Sequence, residues 1–203
     1  PTHSQPGEPG QFAELELELK VMADVGLVGL PNAGKSTLLS RLSRARPKIG
    51  DYPFTTLRPE VGVVVADEDT SFVLADIPGL IEGAHEGVGL GSQFLRHVQR
   101  TRVLVHVLDA SELASNEPVD AYNQVRRELE LYDEQMKWRD SENALSRRPE
   151  LIVLNKLDAI DEKRCEKLKA DFRSQGLDVY TVSAVTGTHL KELVFGIAKQ
   201  LGF

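Results

Sequence analysis

Residues 29–36 read Gly29-Leu30-Pro31-Asn32-Ala33-Gly34-Lys35-Ser36, and this octet decides the fold. It satisfies G-x-x-x-x-G-K-[ST] at every fixed position. The apolar stretch Val25-Gly26-Leu27-Val28 precedes it, and the helix-like run Thr37-Leu38-Leu39-Ser40-Arg41-Leu42 follows. That is the strand–loop–helix context in which such a loop cradles phosphate. Gly29 and Gly34 permit the sharp turn that lets backbone N–H groups and a helix start converge on an anion. Lys35 is then placed to reach β- and γ-phosphates, and the Ser36 hydroxyl to hold Mg²⁺.

Outward from the octet, the hydrophobic period alternates between two and 3.6. Val61–Ala66 and Phe72–Ala75 flank Asp67-Glu68-Asp69-Thr70 as an antiparallel hairpin. Val103–Leu108, Leu151–Leu154 and Val179–Val182 are further strands, the first solid enough to be covered on both faces. Helical spacing relates Tyr122, Val125, Leu129 and Tyr132, after the start signals Asn116 and Pro118. A second helix begins near Asp161 and carries Cys165, Leu168 and Phe172 inward; a third buries Leu190, Leu193, Val194, Ile197 and Leu201. The expected fold is α/β of the P-loop NTPase kind. It is a Ras-like, mostly parallel six-stranded sheet with one antiparallel edge strand and helices on both faces.

The carboxyl ends of those strands carry the remaining chemistry. Asp76-Ile77-Pro78-Gly79 closes one strand. Asp76 can hold a water on Mg²⁺, and Gly79 can offer its N–H to a γ-phosphate and swing away when that phosphate leaves. Asn155-Lys156-Leu157-Asp158 closes another. A carboxylate at Asp158 accepts from both N1–H and N2–H₂ of guanine, whereas adenine would leave it facing an acceptor, a mismatch costing about 1–3 kcal/mol or more. The stem of Lys156 can lie over the base, Asn155 can tie its loop to the phosphate loop, and Ser183-Ala184 can supply an N–H to guanine O6. The candidate nucleotide set is therefore Gly29, Pro31, Asn32, Ala33, Gly34, Lys35, Ser36, Thr37, Asn155, Lys156, Asp158, Ser183 and Ala184.

Bulk properties agree. With 203 residues, 41% hydrophobic and 27% charged, the chain has room for one α/β domain of roughly 150–180 residues plus a remnant. No stretch approaches the roughly 18 apolar residues of a membrane span, and no signal-peptide pattern opens the chain. A net charge of −7 argues against tight non-specific nucleic-acid binding by this segment. Arg41, Arg44, Arg46 and Lys48 form a local basic patch that fits either a polyanion or a solvated helix end. Cys165 is the single cysteine, so no intrachain disulfide is possible. Pro1–Gly10, with three prolines and two glycines, has the composition of a linker, and Glu14–Lys20 alternates like a half-exposed strand.

The order of these motifs resembles the translation-factor-like GTPases, and the match is close to the Obg (CgtA) family. It is carried by Ala23–Ser36, by Asp51-Tyr52-Pro53-Phe54-Thr55-Thr56-Leu57, and by Asp76-Ile77-Pro78-Gly79-Leu80-Ile81-Glu82-Gly83-Ala84. The resemblance implies an excised GTPase domain at 21–203 preceded, at 1–20, by the tail of a glycine-rich N-terminal domain. It further implies a cytoplasmic bacterial or organellar protein acting in large ribosomal subunit assembly and responsive to GTP, GDP and (p)ppGpp. Arg46–Val61 is then switch I, in which Thr56 or its neighbour Thr55 completes the Mg²⁺ sphere. Lys35, Thr56 and Gly79 become the catalytic candidates, with Ser36, Thr56 and Asp76 around Mg²⁺. Five glycines at 79, 83, 87, 89 and 91 suggest a segment ordered by nucleotide.

Leu80 stands where Ras-like proteins place a water-orienting glutamine, so intrinsic hydrolysis is expected to be slow; Glu82 and His85 are polar alternatives. Asn32 resembles the asparagine of potassium-activated GTPases, where an amide oxygen helps hold K⁺ beside the leaving oxygen. Bracing of the loop by the same amide is the competing reading. The leading functional expectation is a Mg²⁺-dependent GTP-hydrolysing switch. The alternative is a guanine-nucleotide sensor with incidental turnover.

Overall fold

The computed structural model describes residues 23–49, 60–76, 101–138, 141 and 144–203. In chain order these form β1 (Val25–Val28), α1 (Lys35–Leu42), β2 (Lys48–Ile49), β3 (Glu60–Val65), β4 (Ser71–Asp76), β5 (Val103–Asp109), α2 (Pro118–Gln135), β6 (Glu150–Asn155), α3 (Glu162–Ser174), β7 (Val179–Thr181) and α4 (Leu190–Leu201). One sheet holds every described strand, in the order β2-β3-β4-β1-β5-β6-β7. β1 pairs in parallel with β4 and β5, and β5 continues in parallel through β6 to β7. Only β3 runs against the rest, pairing Val61 with Ala75 and Val65 with Ser71. Six of these strands, with a single reversed one, are as the sequence predicts, but the sheet has a seventh strand and the reversed β3 is not at its edge. The two-residue β2 lies outside β3, pairing Lys48 with Val61. A run of two residues has no readable period, so it carried no sequence signal.

Alternation along the strands sorts the core into two layers. Val103, Val105 and Val107 of β5 join Leu38 and Leu39 of α1 and Leu193 and Ile197 of α4. Leu104 and Leu108 face the other way, toward Val125 and Leu129 of α2 and Leu168 and Phe172 of α3. Both faces of β5 are thus dry, which is why it reads as an uninterrupted apolar run. Truncating a fully buried leucine such as Leu129 to alanine would cost about 2–5 kcal/mol.

Local signals set the helix limits. Pro118 begins α2 at a position where its missing N–H costs nothing. Asp161 caps α3, its Oδ1 accepting from the Arg164 N–H at 2.8 Å. After α2 the chain returns through a short 3₁₀ turn at Leu145–Arg147, anchored by the buried Asp133, which accepts from the N–H groups of Leu145 and Ser146 at 2.8 Å each. Neither the turn nor its anchor was expected from the sequence, because a carboxylate inside an amphipathic helix normally faces water. β4 and β5 diverge to opposite sides of β1, which opens a crevice beyond the strand ends there.

Candidate functional site

The phosphate loop leaves β1 at Gly29. Its backbone passes so close to β5 that a β-carbon would stand 2.3 Å from the Val107 carbonyl oxygen. At Gly34 the backbone is left-handed (φ 91°), and a β-carbon would strike the Asn155 amide at 2.4 Å. Both glycines are therefore required by contact as well as by turn geometry. Between them Asn32 is also left-handed, at φ 63°, a conformation that asparagine tolerates better than most residues. Asn32 and Pro31 are exposed on the outer side of the loop, while Ala33 is buried. Ser36 and Thr37 are exposed in the first turn of α1, whose leading N–H groups point out of the helix end.

Lys35 folds back over this loop. Its Nζ donates to Gly29 O at 2.9 Å and Leu30 O at 3.1 Å. Burial lowers its pKa, opposed by the attraction of Asp76. Two of the three ammonium protons are spent on loop carbonyls, and the third is available to an anion. The Ser36 hydroxyl donates to Asp76 Oδ2 at 2.5 Å. Asp76 is buried, and its Oδ1 has no hydrogen-bond partner among the described residues. A serine hydroxyl beside a buried, half-satisfied carboxylate suits Mg²⁺, which keeps most of its waters and takes few protein ligands. No group of three or more acidic, histidine or cysteine side chains suited to a metal occurs among the described residues.

The loops at Asn155–Asp158 and Ser183–Ala184 meet the phosphate loop through the Asn155 side chain. Asn155 Nδ2 donates to Ala33 O at 2.9 Å, while its Oδ1 accepts from the Ala184 N–H at 3.0 Å. Asn155 is buried and bonded at both ends of its amide. Of the Ser183-Ala184 pair expected to supply an N–H to guanine O6, Ala184 is engaged with Asn155 and the Ser183 N–H donates to Thr188 O at 3.2 Å, so either reaches a base only by sharing its bond. Asp158 is exposed at the start of a 3₁₀ turn and accepts at Oδ1 from the Ser183 hydroxyl, which leaves Oδ2 without a partner among the described residues. Arg41 of α1 reaches across to the carbonyls of Ala184 and Val185 and so fixes the last loop.

Lys156 adopts a left-handed backbone (φ 67°), a strained conformation for a long side chain. Its Nζ donates to Asp109 Oδ2 at 2.5 Å. Sequence reasoning missed Asp109, because a single acidic residue at a strand end matches no motif. A cavity of about 550 Å³ opens here, between Asn32 and Ala33 on one side and Asp109, Ser111 and Lys156 on the other. Every described motif residue thus lies at the carboxyl end of the sheet. Thr55, Thr56, Gly79, Leu80, Glu82 and His85 lie outside the described residues.

A family model described as 50S ribosome-binding GTPase matches residues 24–156. The chain is 54% identical over 202 residues to GTPase Obg of Bdellovibrio bacteriovorus, covering 99% of this chain and 59% of that protein. It is 50% identical over 201 residues to GTPase Obg of Aquifex aeolicus, covering 98% and 56%. The chain therefore spans somewhat over half the length of these relatives. Among solved structures, the G domain of the T. maritima FeoB iron transporter superposes with a TM-score of 0.59 at 21% identity, covering 87% of this chain and 96% of that one. Aquifex aeolicus Era bound to GDP and aluminium fluoride gives a TM-score of 0.59 at 24% identity, covering 88% and 56%. At these identities the two structures share the fold with this chain.

Proposed function

Because this chain belongs to the Obg family of GTPases, we propose that residues 21–203 form one guanine-nucleotide switch domain that binds Mg²⁺ and slowly hydrolyses GTP. The observation that carries this reading is the pair of hydrogen bonds made by the Asn155 amide, which joins the phosphate loop at Ala33 to the Ser183–Ala184 loop. One side chain sets the spacing between the two ends of a nucleotide. In this reading Gly29–Thr37 wraps the phosphates, Lys35 offers its remaining ammonium proton to the β/γ oxygens, and Asp158 selects guanine through both carboxylate oxygens, Oδ2 open and Oδ1 shared with the Ser183 hydroxyl. Ser36, Asp76 and Thr56 hold Mg²⁺, which supplies compensation for charge developing on the phosphate oxygens. Thr56 and Gly79 would report the γ-phosphate through their backbone N–H groups. The slow rate follows from Leu80, whose apolar side chain cannot orient water.

Two finer elements belong to the same proposal. Asn32, exposed and left-handed on the outer side of the loop, would contribute its amide oxygen to a K⁺ site beside the leaving oxygen. The partner of the switch would be the large ribosomal subunit, with the cytoplasm as the place of action and (p)ppGpp as a competing ligand. This follows from family membership and from the description of the matching family model. No helix among the described residues is long and apolar enough to cross a membrane. The deciding experiment titrates fluorescent GDP, GTP and ATP analogues, then follows multiple-turnover phosphate release with and without 50S particles. Guanine selectivity, with turnover that rises on the particles, is the expected result. Equal affinity for the adenine analogue would end the guanine reading, and binding without turnover would make the domain a sensor.

A further inference from the structure

Asp109 and Asn155 are register partners at the ends of β5 and β6, so Asp109 lies beside the first residue of the base-reading tetrapeptide. Lys156 is the next residue, and its left-handed backbone accompanies a side chain that crosses to β5. The carboxylate it meets is already fixed. Asp109 Oδ1 accepts from the Ser111 N–H at 2.9 Å and from the Ser111 hydroxyl at 2.7 Å, leaving Oδ2 for the lysine. The surrounding backbone is tied as well: the Ala110 N–H donates to Asn155 O at 3.0 Å, and Arg164 Nε donates to Ala110 O at 2.9 Å. The Asp109 side chain is 16% exposed and that of Lys156 32%. Burial pushes the Asp109 carboxyl up, but the Lys156 and Ser111 hydrogen bonds and the lysine charge outweigh it, keeping its pKa below the usual carboxylate range. This is an anchored pair of charges in the wall of the cavity that faces the phosphate loop, unlike a surface bridge between two waving chains.

A lysine side chain has large rotamer entropy, which a base-stacking role would consume on every binding event. We infer that Asp109 is a positioning residue: it holds the Lys156 stem in place across the base site before nucleotide arrives, and so governs how long a guanine nucleotide is retained. The inference rests on the guanine-nucleotide reading above and adds a residue that no motif or comparison assigns. It also gives the turn at Ser111 a role, since that turn aims the carboxylate.

The test is release of fluorescent GDP from the chain after a chase with unlabelled GDP, in parent, Asp109→Asn, Lys156→Met and the double variant. Asparagine keeps the shape but offers an uncharged amide to the ammonium, while methionine keeps the stem and removes the charge. Asp109→Asn is expected to release GDP about tenfold faster, the scale of a partly exposed charge pair losing one member. The double variant should be no faster than Lys156→Met alone, because Asp109 acts only through the lysine. Release at the parental rate in Asp109→Asn, or multiplied effects in the double variant, overturns the inference; a merely structural carboxylate would give the second result. If thermal melting shows Asp109→Asn unfolded, Ser111→Ala decides. Release about two- to threefold faster, absent when Lys156 is methionine, supports the inference, and a parental rate overturns it. Parent protein that retains GDP no better than ADP would instead overturn the guanine reading itself. Selective parental retention beside an unaffected Asp109→Asn leaves that reading standing and removes only the role of Asp109.

Discussion

Single side chains at the strand ends divide the labour of this site, and each division has a measurable consequence. Asp158 keeps Oδ2 open while Ser183 occupies Oδ1, so Asp158→Asn should weaken GDP and GTP by roughly 2–4 kcal/mol if both carboxylate bonds to guanine are lost. The same variant should gain affinity for xanthosine nucleotides, whose 2-oxo group accepts from an amide; a titration with unchanged GTP affinity would contradict the assignment. Lys35→Ala removes the ammonium that bridges the Gly29 and Leu30 carbonyls, and turnover should vanish in a phosphate-release assay. Asn32→Ala should erase a K⁺-over-Na⁺ rate advantage measured at matched ionic strength; equal rates in the parent would refute the cation site. At this scale the sequence was most legible where spacing itself is the chemistry. Gly29, Gly34, Lys35, Ser36, Asp76, Asn155 and Asp158 are recognisable because their intervals are those that holding a phosphate and a guanine base would require. Asp109 and Asp133 were not recognisable, since the partners that give them meaning, Lys156 and the N–H groups at 145 and 146, match no motif and are brought near by folding.

Among the elements, β5 combines solid apolarity with one buried imidazole. His106 is fully buried, and neither ring nitrogen makes a hydrogen bond among the described residues. Burial, assisted by the positive charge of Arg126, pushes its pKa down from 6.5 to about 3. Held neutral, it forms no ion pair with Glu150 at 3.3 Å; that carboxylate is answered by Arg126 at 3.2 Å and by the Tyr122 hydroxyl at 2.7 Å. The unfolded chain binds a proton below pH 6.5 that the folded chain refuses until about pH 3. Stability from this group is therefore complete above that window and drains as pH falls through it. Between pH 7 and pH 4 the parent should lose about 2–3 kcal/mol more than His106→Leu in urea unfolding. Identical acid sensitivity in the two proteins would mean that the imidazole is protonated in place. A second element prediction concerns α2: Asp133→Ala strands the N–H groups of the following 3₁₀ turn and should cost about 1–3 kcal/mol. The strands and helices were legible through their periods, down to the inward set Cys165, Leu168 and Phe172 on α3. The 3₁₀ turns and β2 were not: Lys48–Ile49 is too short to alternate, and Leu145–Arg147 and Leu157–Ala159 carry no apolar run like the one that marks the equally short β7.

For the whole molecule, the decisive relation is between positions far apart along the chain. The Asn155 amide donates to the phosphate loop at Ala33, 122 residues earlier, and the N–H that donates to its oxygen follows 29 residues later. A ribosome translating at about 5–20 residues per second needs roughly 6–24 s to add the first of those intervals. Throughout that time the phosphate loop exists without the contacts that space it from the base site. Nascent chains stalled before Asn155 should therefore fail to retain fluorescent GDP in a pull-down, whereas chains with residues 155–184 clear of the exit tunnel should hold it. In the proposed reading nucleotide capture is an assembly signal: the ligand selects molecules in which these distant segments have met and, by mass action, withdraws them from the unfolded pool.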